Sequence, residues 1–269
     1  MSFNISPFNT HLLSQLELLT PIEWQSNAYE LFLYNEWQSW FFPYQVIIDN
    51  KLVGFGMFFL FEENAWLGWI LVHKKYRKQG IGSTISKHLI DKAGEMGANN
   101  FILTASELGK PIYEKLGFKT TSYYRFFTPP ELIKQQYDKS RIRNASKKDL
   151  ERILYLDFKA TGEKRIKLIE NHLEDCFIIS EKDVSGFYMP NLGIGYIVAA
   201  DKISGQELIN FRLKRNKKPI VVSDQNTDVI DYLHQNGFTE GNKIPRMVLG
   251  KEPLWNPSMI FCRAAGYCG

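Results

Sequence analysis

The stretch "YRKQGIGSTISKHL", Tyr76–Leu89, decides how the chain folds and what it binds. Basic side chains come first, then glycines at positions 80 and 82, then the start of an amphipathic segment. The first N–H groups of a helix have no partner within the helix, and the helix dipole adds a partial positive charge there. Glycines let a backbone approach an anion closely. The stretch therefore predicts a cradle for a pyrophosphate group, and a basic turn before a helix is the alternative.

The segments before this stretch predict an antiparallel sheet. "YQVIIDNKLVGFGMFFLF" has two β-rich runs around an Asp49–Asn50 turn, and a second turn covers Glu62–Asn64. Ala65–Val72, "AWLGWILV", is apolar along nearly its whole length, which predicts a strand buried on both faces. After the glycines, apolar residues recur every three or four positions as far as Met96, and Gly97 follows. This pattern predicts a helix with one apolar stripe.

The segments after the helix complete an alternating α/β pattern. Asn100–Ser106 reads as a buried strand, and "GKPIYEKLGF" predicts a short helix with Pro111 in its first turn and Gly117 just past its end. "KTTSYYRFF" predicts a further strand. The two glycines of the loop do not form a Walker A motif, because no Gly-Lys-Ser/Thr follows them. They are not a dinucleotide-binding fingerprint either, because the third glycine is missing and a hairpin precedes them.

The pattern Arg77-x-x-Gly80-x-Gly82 lies between "WILVHKKY" and, further along the chain, "YEKLGF". In this order the three motifs resemble the GNAT N-acetyltransferase superfamily, and the resemblance covers residues 1 to about 127. It implies a mixed α/β fold whose loop binds the pyrophosphate of acyl-CoA, usually acetyl-CoA. By this resemblance the cofactor is bound by main-chain groups of the loop and of the preceding strand, with side-chain charge at the rim. The residues concerned are Leu71, Val72, Arg77, Lys78, Gln79, Gly80, Ile81, Gly82 and Ser83.

The resemblance also implies two catalytic groups. The main-chain N–H of Val72, at the end of its strand, would stabilise the oxyanion of the attacked thioester. The phenol of Tyr113, in "YEKLGF", would act as general acid and protonate the leaving thiolate. A tyrosine that only packs against the sheet is the alternative for Tyr113.

No motif identifies the general base that deprotonates the amine. A carboxylate, a histidine or a chain of water molecules could serve. The candidates are Glu36, Glu62, Glu63 and His73. His73 follows the strand directly, although a capping or surface role is the more common one for such a histidine.

A repeat is visible in the second half of the chain. "DYLHQNGF", Asp231–Phe238, echoes "PIYEKLGF", Pro111–Phe118, at a distance of 120 residues. In place of Arg77–Gly82 the second half has "AADKISGQEL" after the strand "GIGYIVA". With "YLDFKATGEKRIKLIENHLED" and "RMVLGKEP", it resembles bacterial tandem-GNAT acetyltransferases whose C-terminal copy is degenerate. The expected domains are an acyl-CoA-binding GNAT domain at 1–128, a linker at 129–140 and a degenerate GNAT-like domain at 141–269.

The composition argues against several classes of protein. The 33 basic and 29 acidic residues leave a net charge of +4, too mild to indicate nucleic-acid binding. Apolar runs such as "FGMFFLF" are too short to span a membrane, and the N-terminus lacks the pattern of a signal peptide. The three cysteines have neither paired spacing nor nearby histidines, which argues against disulfides and zinc. We expect a cytoplasmic protein with no metal, membrane or nucleic-acid partner.

Taken together, these patterns predict an N-acetyltransferase that transfers an acetyl group from acetyl-CoA to a primary amine of a small molecule or peptide. The amine would attack the thioester directly in a ternary complex. A protein lysine acetyltransferase is one alternative, and a non-enzymatic acyl-CoA-binding or ligand-sensing protein is another. The presence of Tyr113 favours the enzyme. Arg246 and Arg263 are candidates to bind an acidic acceptor group, with structural roles as the alternative. We expect a monomer, and a dimer is the alternative.

Overall fold

The structure is a computed structural model that describes residues 3–22, 28–35, 38–131 and 137–269. Packing divides the chain into two units. The N-terminal unit runs to Lys119 and also includes Met247–Glu252, whereas the C-terminal unit comprises Thr120–Arg246 and Pro253–Gly269. Each unit combines helices with a sheet, so the predicted mixed α/β class is confirmed. No helix within the described ranges has both the length and the apolar character needed to cross a membrane.

The N-terminal unit is built on a sheet with the strand order β1-β2-β3-β4-β5. All neighbours in it are antiparallel except β4 and β5, which are parallel. The strands are β1 (Ile5–Pro7), β2 (Phe41–Ile48), β3 (Lys51–Phe61), β4 (Asn64–Val72) and β5 (Asn100–Thr104). The helices are α1 (Leu13–Leu19), α2 (Ala28–Asn35), α3 (Ile81–Glu95) and α4 (Lys110–Lys115).

The predicted hairpin, buried strand and helix are all present in this unit. Asp49 and Asn50 both have positive φ, of 48° and 59°, which is the backbone geometry of a tight hairpin turn between β2 and β3. The predicted apolar stripe of α3 is buried, but Met96 is not part of it. Met96 lies at the C-cap of the helix and is 45% exposed, because the helical face no longer continues there.

Two glycines in β3 allow α3 to pack closely on the sheet. A Cβ atom added at Gly56 would lie 2.5 Å from Cγ2 of Ile85, and one at Gly54 would lie 2.8 Å from Cδ1 of the same residue. Ile85 is 1% exposed and Leu89 is fully buried. The absence of side chains at positions 54 and 56 therefore fixes how near the helix, and the loop that leads into it, can lie to the strand.

The C-terminal unit contains a sheet with the order β13-β10-β9-β8-β7 and antiparallel neighbours, and β11 pairs with β6. The strands are β6 (Lys119–Thr128), β7 (Ile142–Asn144), β8 (Phe177–Ser180), β9 (Val184–Met189), β10 (Tyr196–Ala199), β11 (Ile220–Ser223), β12 (Thr239–Leu249) and β13 (Ile260–Cys262). The helices are α5 (Leu150–Thr161), α6 (Ile166–Asn171), α7 (Lys202–Leu213) and α8 (Thr227–Gln235). The last residues of β12, from Met247, belong to the N-terminal unit.

The predicted repeat has the same local structure in both copies. The Phe118 N–H donates to the Tyr113 carbonyl over 3.0 Å, and the Phe238 N–H donates to the Leu233 carbonyl over 3.1 Å. In each case the glycine before the phenylalanine has a positive φ, as the end of a helix commonly requires. Tyr113 in the first copy therefore corresponds to Leu233 in the second.

The division by packing differs from the division predicted by the repeat. The sequence-based domains end at residue 128 and begin again at residue 141, whereas the structure groups Thr120–Thr128 with the C-terminal unit. Part of the expected linker, residues 132–136, lies outside the described residues. As boundaries of evolutionary repeats, 1–128 and 141–269 stay a prediction.

Candidate functional site

The candidate site begins where β4 and β5 part. Their parallel pairing covers Asn64–Trp66 on one strand and Asn100–Ile102 on the other, while β4 continues to Val72. Opposite β3, the register of β4 also shifts: Phe55 pairs with Leu71, but Met57 pairs with Gly68. Two residues of β4 thus lie opposite one residue of β3, which is a β-bulge.

The bulge is a feature that the sequence reasoning missed. Its first residue, Trp69, has a φ of 51°, a region that a bulky residue rarely adopts. Bulges bend a strand and change the direction of the residues that follow. Here those residues include Leu71 and Val72, which the sequence predicts to bind the cofactor. Only Gly68, just before the bulge, hinted at an irregular strand.

Polar side chains hold β4 and β5 together at the other end. Asn100 Nδ2 donates to Asn64 Oδ1 over 2.9 Å, and both residues are buried. Asn100 Oδ1 in turn accepts from the Lys251 N–H over 2.9 Å. The two strands are therefore fixed at the start of β4 and open toward Val72.

The loop between β4 and α3 is ordered by its own hydrogen bonds. His73 Nδ1 accepts from the Lys75 N–H over 3.3 Å and so caps a short 3-10 turn, Lys74–Tyr76. The Arg77 Nε then donates to the Val72 carbonyl over 3.1 Å, while the residue as a whole stays exposed. Gln79 Nε2 donates to the Lys75 carbonyl over 3.4 Å. The basic side chains thus lie around a turn whose conformation is fixed by hydrogen bonds.

The first turn of α3 has no side-chain cap. The N-cap is Gly80, with a φ of 85°, and a Cβ atom added there would meet nothing within 4 Å. The main-chain N–H groups of the first turn lack acceptors within the helix. Of the predicted contact residues, Lys78, Gln79, Gly80 and Ser83 are exposed, whereas Ile81 and Leu71 are buried as whole residues, at 1% and 5% exposure. The exposed residues of the loop are therefore the ones that a ligand can reach directly.

Three separate motifs meet at Gly82. A Cβ atom added to this residue would lie 3.6 Å from Cγ2 of Val72 and 3.7 Å from Cδ1 of Ile112. The end of β4, the start of α3 and the helix of "YEKLGF" thus converge on one point. The spacing of the motifs in the sequence did not require this convergence, and the fold supplies it.

Tyr113 lies in α4 and is 8% exposed. Its ring packs edge-on against Phe118, with centroids 5.9 Å apart. Its Cε2 atom would be only 2.8 Å from a Cβ atom at Gly109, so the glycine makes room for the ring. Burial raises the pKa of the Tyr113 hydroxyl above its usual range. The phenol therefore keeps its proton at neutral pH, as a general acid must.

The candidates for the general base are placed differently. Glu62 and Glu63 are exposed in the turn before β4, at the opposite end of this strand from Val72. At the usual rise per strand residue, that separation is about 26 Å. His73 is near the site, but its Nδ1 is engaged in capping the turn that follows it. Glu36 lies outside the described residues.

These features fit an anionic ligand with a long apolar arm. The uncapped helix start and the open space at Gly80 suit a pyrophosphate, and beyond Trp66 the main chain of β4 has no pairing with β5. In the described part of the chain, no group of three or more His, Cys, Asp or Glu side chains is arranged to hold a metal ion.

Comparison with known families agrees with this geometry. The profile of the Acetyltransferase (GNAT) family matches residues 10–118, and that of an Acetyltransferase (GNAT) domain matches residues 153–261. The two matches together cover more than three quarters of the chain. The fold and the site define a tandem acyltransferase, and this chain belongs to the GNAT family of acetyltransferases.

Individual relatives show the same organisation. The chain is 26% identical over 236 residues to YitH, an uncharacterized N-acetyltransferase of Bacillus subtilis, and the match covers 81% of this chain and 82% of the relative. A candidate acetyltransferase from Pyrococcus horikoshii has the same fold, with a TM-score of 0.85, 17% identity, and coverage of 99% of this chain and 96% of that one. A tandem GNAT protein from the clavulanic acid biosynthesis pathway superimposes with a TM-score of 0.62 at 10% identity, covering 93% and 98%.

Proposed function

We propose that this chain transfers an acetyl group from acetyl-CoA to a primary amine, by direct attack of the amine on the thioester in a ternary complex. The observation that carries the proposal is the convergence of Val72, Gly82 and Ile112 beside the uncapped start of α3. A pyrophosphate at this helix start would place the rest of an acyl-CoA within reach of both β4 and α4. The three motifs would then act on one substrate.

The reaction requires stabilisation of negative charge on the thioester oxygen. As the amine nitrogen bonds to the carbonyl carbon, the oxygen becomes an oxyanion, and a main-chain N–H directed at it lowers the barrier. We assign this role to Val72. Its carbonyl already accepts from Arg77 Nε, which helps to fix the peptide group after the strand. The nitrogen then loses a proton to solvent, and no described side chain is assigned as the base.

Collapse of the oxyanion breaks the carbon–sulfur bond and releases a thiolate, which must gain a proton. We assign this proton to Tyr113. A phenol is intrinsically a weaker acid than a thiol, by about 1.5 pKa units. Desolvation, however, raises the pKa of both groups, since each becomes an anion on losing its proton. A thiolate leaving into the same apolar surroundings is thus a stronger base than in water, and this offsets the weaker acidity of the buried Tyr113 phenol in the proposed proton transfer.

The wider setting of the reaction is also proposed. All three cysteines are free and buried, which suits a reducing compartment, and we place the protein in the cytoplasm. We propose a monomer as the acting species, with acetyl-CoA as co-substrate and no metal. The acceptor is a small-molecule amine or a lysine-containing peptide.

The test measures release of free CoA by the purified full-length chain with a panel of primary amines and lysine peptides. Tyr113→Phe should lower kcat roughly 100-fold, the lower end of the usual contribution of a general acid, and leave the Kd for acetyl-CoA unchanged. Tyr155→Phe is the matched control, because Tyr155 is 49% exposed in the C-terminal unit. Equal kcat in the wild type and Tyr113→Phe would remove the acid role. Tight acetyl-CoA binding without turnover on any amine would indicate a non-enzymatic binding protein instead.

A further inference from the structure

The C-terminal unit contains buried arginines with very different surroundings. Arg165 is fully enclosed by partners: Nε donates to Asp157 Oδ2 over 3.0 Å, and Nη2 donates to Oδ1 of the same carboxylate over 2.5 Å. Arg263, directly after β13, is also buried, with 6% of its surface exposed. Its Nε and Nη1 atoms have no hydrogen-bond partner among the described residues. One buried guanidinium is paired with a carboxylate, and the other makes no such pair with the described residues.

Among the described residues, no carboxylate side chain acts on Arg263. The ionisable side chains that act on it are Tyr124, Cys262 and Cys268, and none of them is a carboxylate. Burial raises the pKa of the Cys268 thiol to about 12, so the thiol stays neutral. Glu163 acts on Tyr124 but is not among the groups that act on Arg263.

The strongest contacts of the Arg263 guanidinium are with aromatic rings. Its Cζ lies 4.4 Å from the ring centroid of Tyr124 and 5.7 Å from that of Phe126. Such contacts stabilise a desolvated cation by less than its transfer into a protein interior costs. Because an arginine keeps its charge under these conditions, stacking alone leaves a large part of the cost uncompensated.

A second buried donor lies beside it. Tyr124 is 1% exposed, and its hydroxyl also has no hydrogen-bond partner within the described ranges. Arg246, 1% exposed, adds a further positive charge that acts on Tyr124. Its Nη1 donates to Thr121 Oγ1 over 3.0 Å, and its Cζ lies 4.4 Å from the Trp255 ring centroid. The cluster therefore combines positive charge with donors on Arg263 and Tyr124 that have no acceptor among the described residues.

We propose that Arg263 and Tyr124 form an anion-binding site in the C-terminal unit, which takes the carboxylate or phosphate group of a small molecule. Oxygens of either group accept from a guanidinium and a hydroxyl in short, charge-assisted hydrogen bonds. The ligand would supply the counter-charge that Asp157 supplies to Arg165. The site is independent of acetyl transfer at α3 and does not rest on it.

The experiment measures the Tm of the full-length chain at fixed ionic strength in sodium acetate, inorganic phosphate or sodium chloride. We expect a saturable rise in Tm with acetate or with phosphate that exceeds the rise with chloride, and the responding salt identifies the oxyanion. Arg263→Met should abolish this rise and should also raise the Tm of the anion-free protein, because it removes an uncompensated buried charge. A purely structural arginine would not produce the second effect.

Two further variants keep the test decisive. Tyr124→Phe should weaken the apparent affinity for the responding anion at least tenfold. This variant tests the site even if Arg263→Met does not fold. Arg152→Met is the matched control, because the Arg152 Cζ also lies over a tyrosine ring, 4.8 Å from the centroid of Tyr155, but its side chain is 36% exposed and pairs with Asp183. An equal response to all three salts would indicate an adventitious ion only and overturn the proposal. A normal anion response in Arg263→Met or in Tyr124→Phe would overturn it as well.

Discussion

The starts of helices α3 and α7 occupy equivalent places in the two repeats, but only α7 has a side chain that caps its first N–H groups. Gly80 caps α3 without any side-chain hydrogen bond. Asp201 caps α7, and its carboxylate accepts from both the N–H and the hydroxyl of Ser204, over 2.9 and 2.7 Å. An anion belongs at the start of a helix on electrostatic grounds. The second copy provides that anion from its own chain, whereas the first has no side-chain cap at the place where we propose that the pyrophosphate binds.

The same contrast appears at the second motif. Tyr113 and Leu233 both accept, through their carbonyls, the hydrogen bond that closes the helix before Gly-Phe. Leu233 is fully buried and has no proton to transfer. The second copy therefore keeps the packing role of this position but lacks the phenol to which the acid role is assigned. Comparison of the two copies thus separates what the fold needs from what the proposed reaction needs.

If buried polar groups stabilise the fold of the C-terminal copy, breaking its buried Arg165–Asp157 ion pair should lower the free energy of unfolding strongly. Arg165 and Asp157 have side chains 0% and 1% exposed, and Arg165 also donates to the Tyr196 hydroxyl and the Cys268 carbonyl. Arg165→Met leaves a buried carboxylate unpaired. We expect the free energy of unfolding, measured with urea, to fall by about 3–5 kcal/mol.

A surface ion pair in the N-terminal unit is the control for this loss. Lys87 and Asp91 approach to 2.8 Å, but their side chains are 67% and 52% exposed. Lys87→Met should cost less than about 1 kcal/mol. The double variant Arg165→Met/Asp157→Leu should recover much of the loss, since no charge is then left buried. A loss in Arg165→Met as small as in Lys87→Met would contradict a structural role for the buried pair.

The difference between the two helix starts can be tested by giving α3 the capping carboxylate that α7 has. Gly80→Asp places a carboxylate at the start of α3, where it competes with and repels a pyrophosphate. Aspartate tolerates the positive φ of this position better than most residues. Repulsion between charges about 4 Å apart near a protein surface amounts to a few kcal/mol. We expect the Kd for acetyl-CoA, measured by calorimetry, to rise about 100-fold, which is about 2.7 kcal/mol.

Gly80→Asn separates charge from shape in this experiment. Asparagine has the same size and a similar tolerance of positive φ, but no charge. It should weaken acetyl-CoA binding far less than aspartate does. Equal losses in the two variants would show that the open backbone at Gly80, and not its electrostatics, matters for the ligand.

The sequence predicted those parts of the molecule that depend on local patterns. The Asp49–Asn50 turn, the apolar length of β4 and the stripe of α3 each follow from the spacing of residue types along a short segment. The Gly-Phe sequences after α4 and α8 recur because each helix end needs a residue with positive φ, and glycine at that position is visible in the sequence. The order of the motifs around Gly80 then sufficed to indicate the family.

Features that depend on contacts between distant segments were not predictable in the same way. The bulge at Trp69 arises where β4 is matched against β3, and an apolar run gives no sign of such a mismatch. The contact of Asn100 with Lys251 joins residues 151 positions apart. The grouping of β6 with the C-terminal unit depends likewise on packing. The burial of Arg263 without a carboxylate partner was also not evident, because the sequence does not show which charges a fold encloses.

A pH titration extends the contrast between the copies to a buried histidine. His172 follows α6 in the C-terminal unit and is 4% exposed, and desolvation lowers its pKa to about 4, against a smaller opposing effect of Asp175. Because the unfolded chain binds the proton at about pH 6.5, acid favours unfolding as the pH falls from there toward 4. We expect the free energy of unfolding to drop by roughly 2 kcal/mol between pH 7 and pH 5 on account of this group. His172→Gln should remove that drop, whereas His11→Gln, at an exposed position, should leave it in place. Equal stability of the wild type at pH 7 and pH 5 would show that His172 is not held neutral in the interior. Solvent would then reach this part of the second copy more readily than the burial of its polar groups indicates.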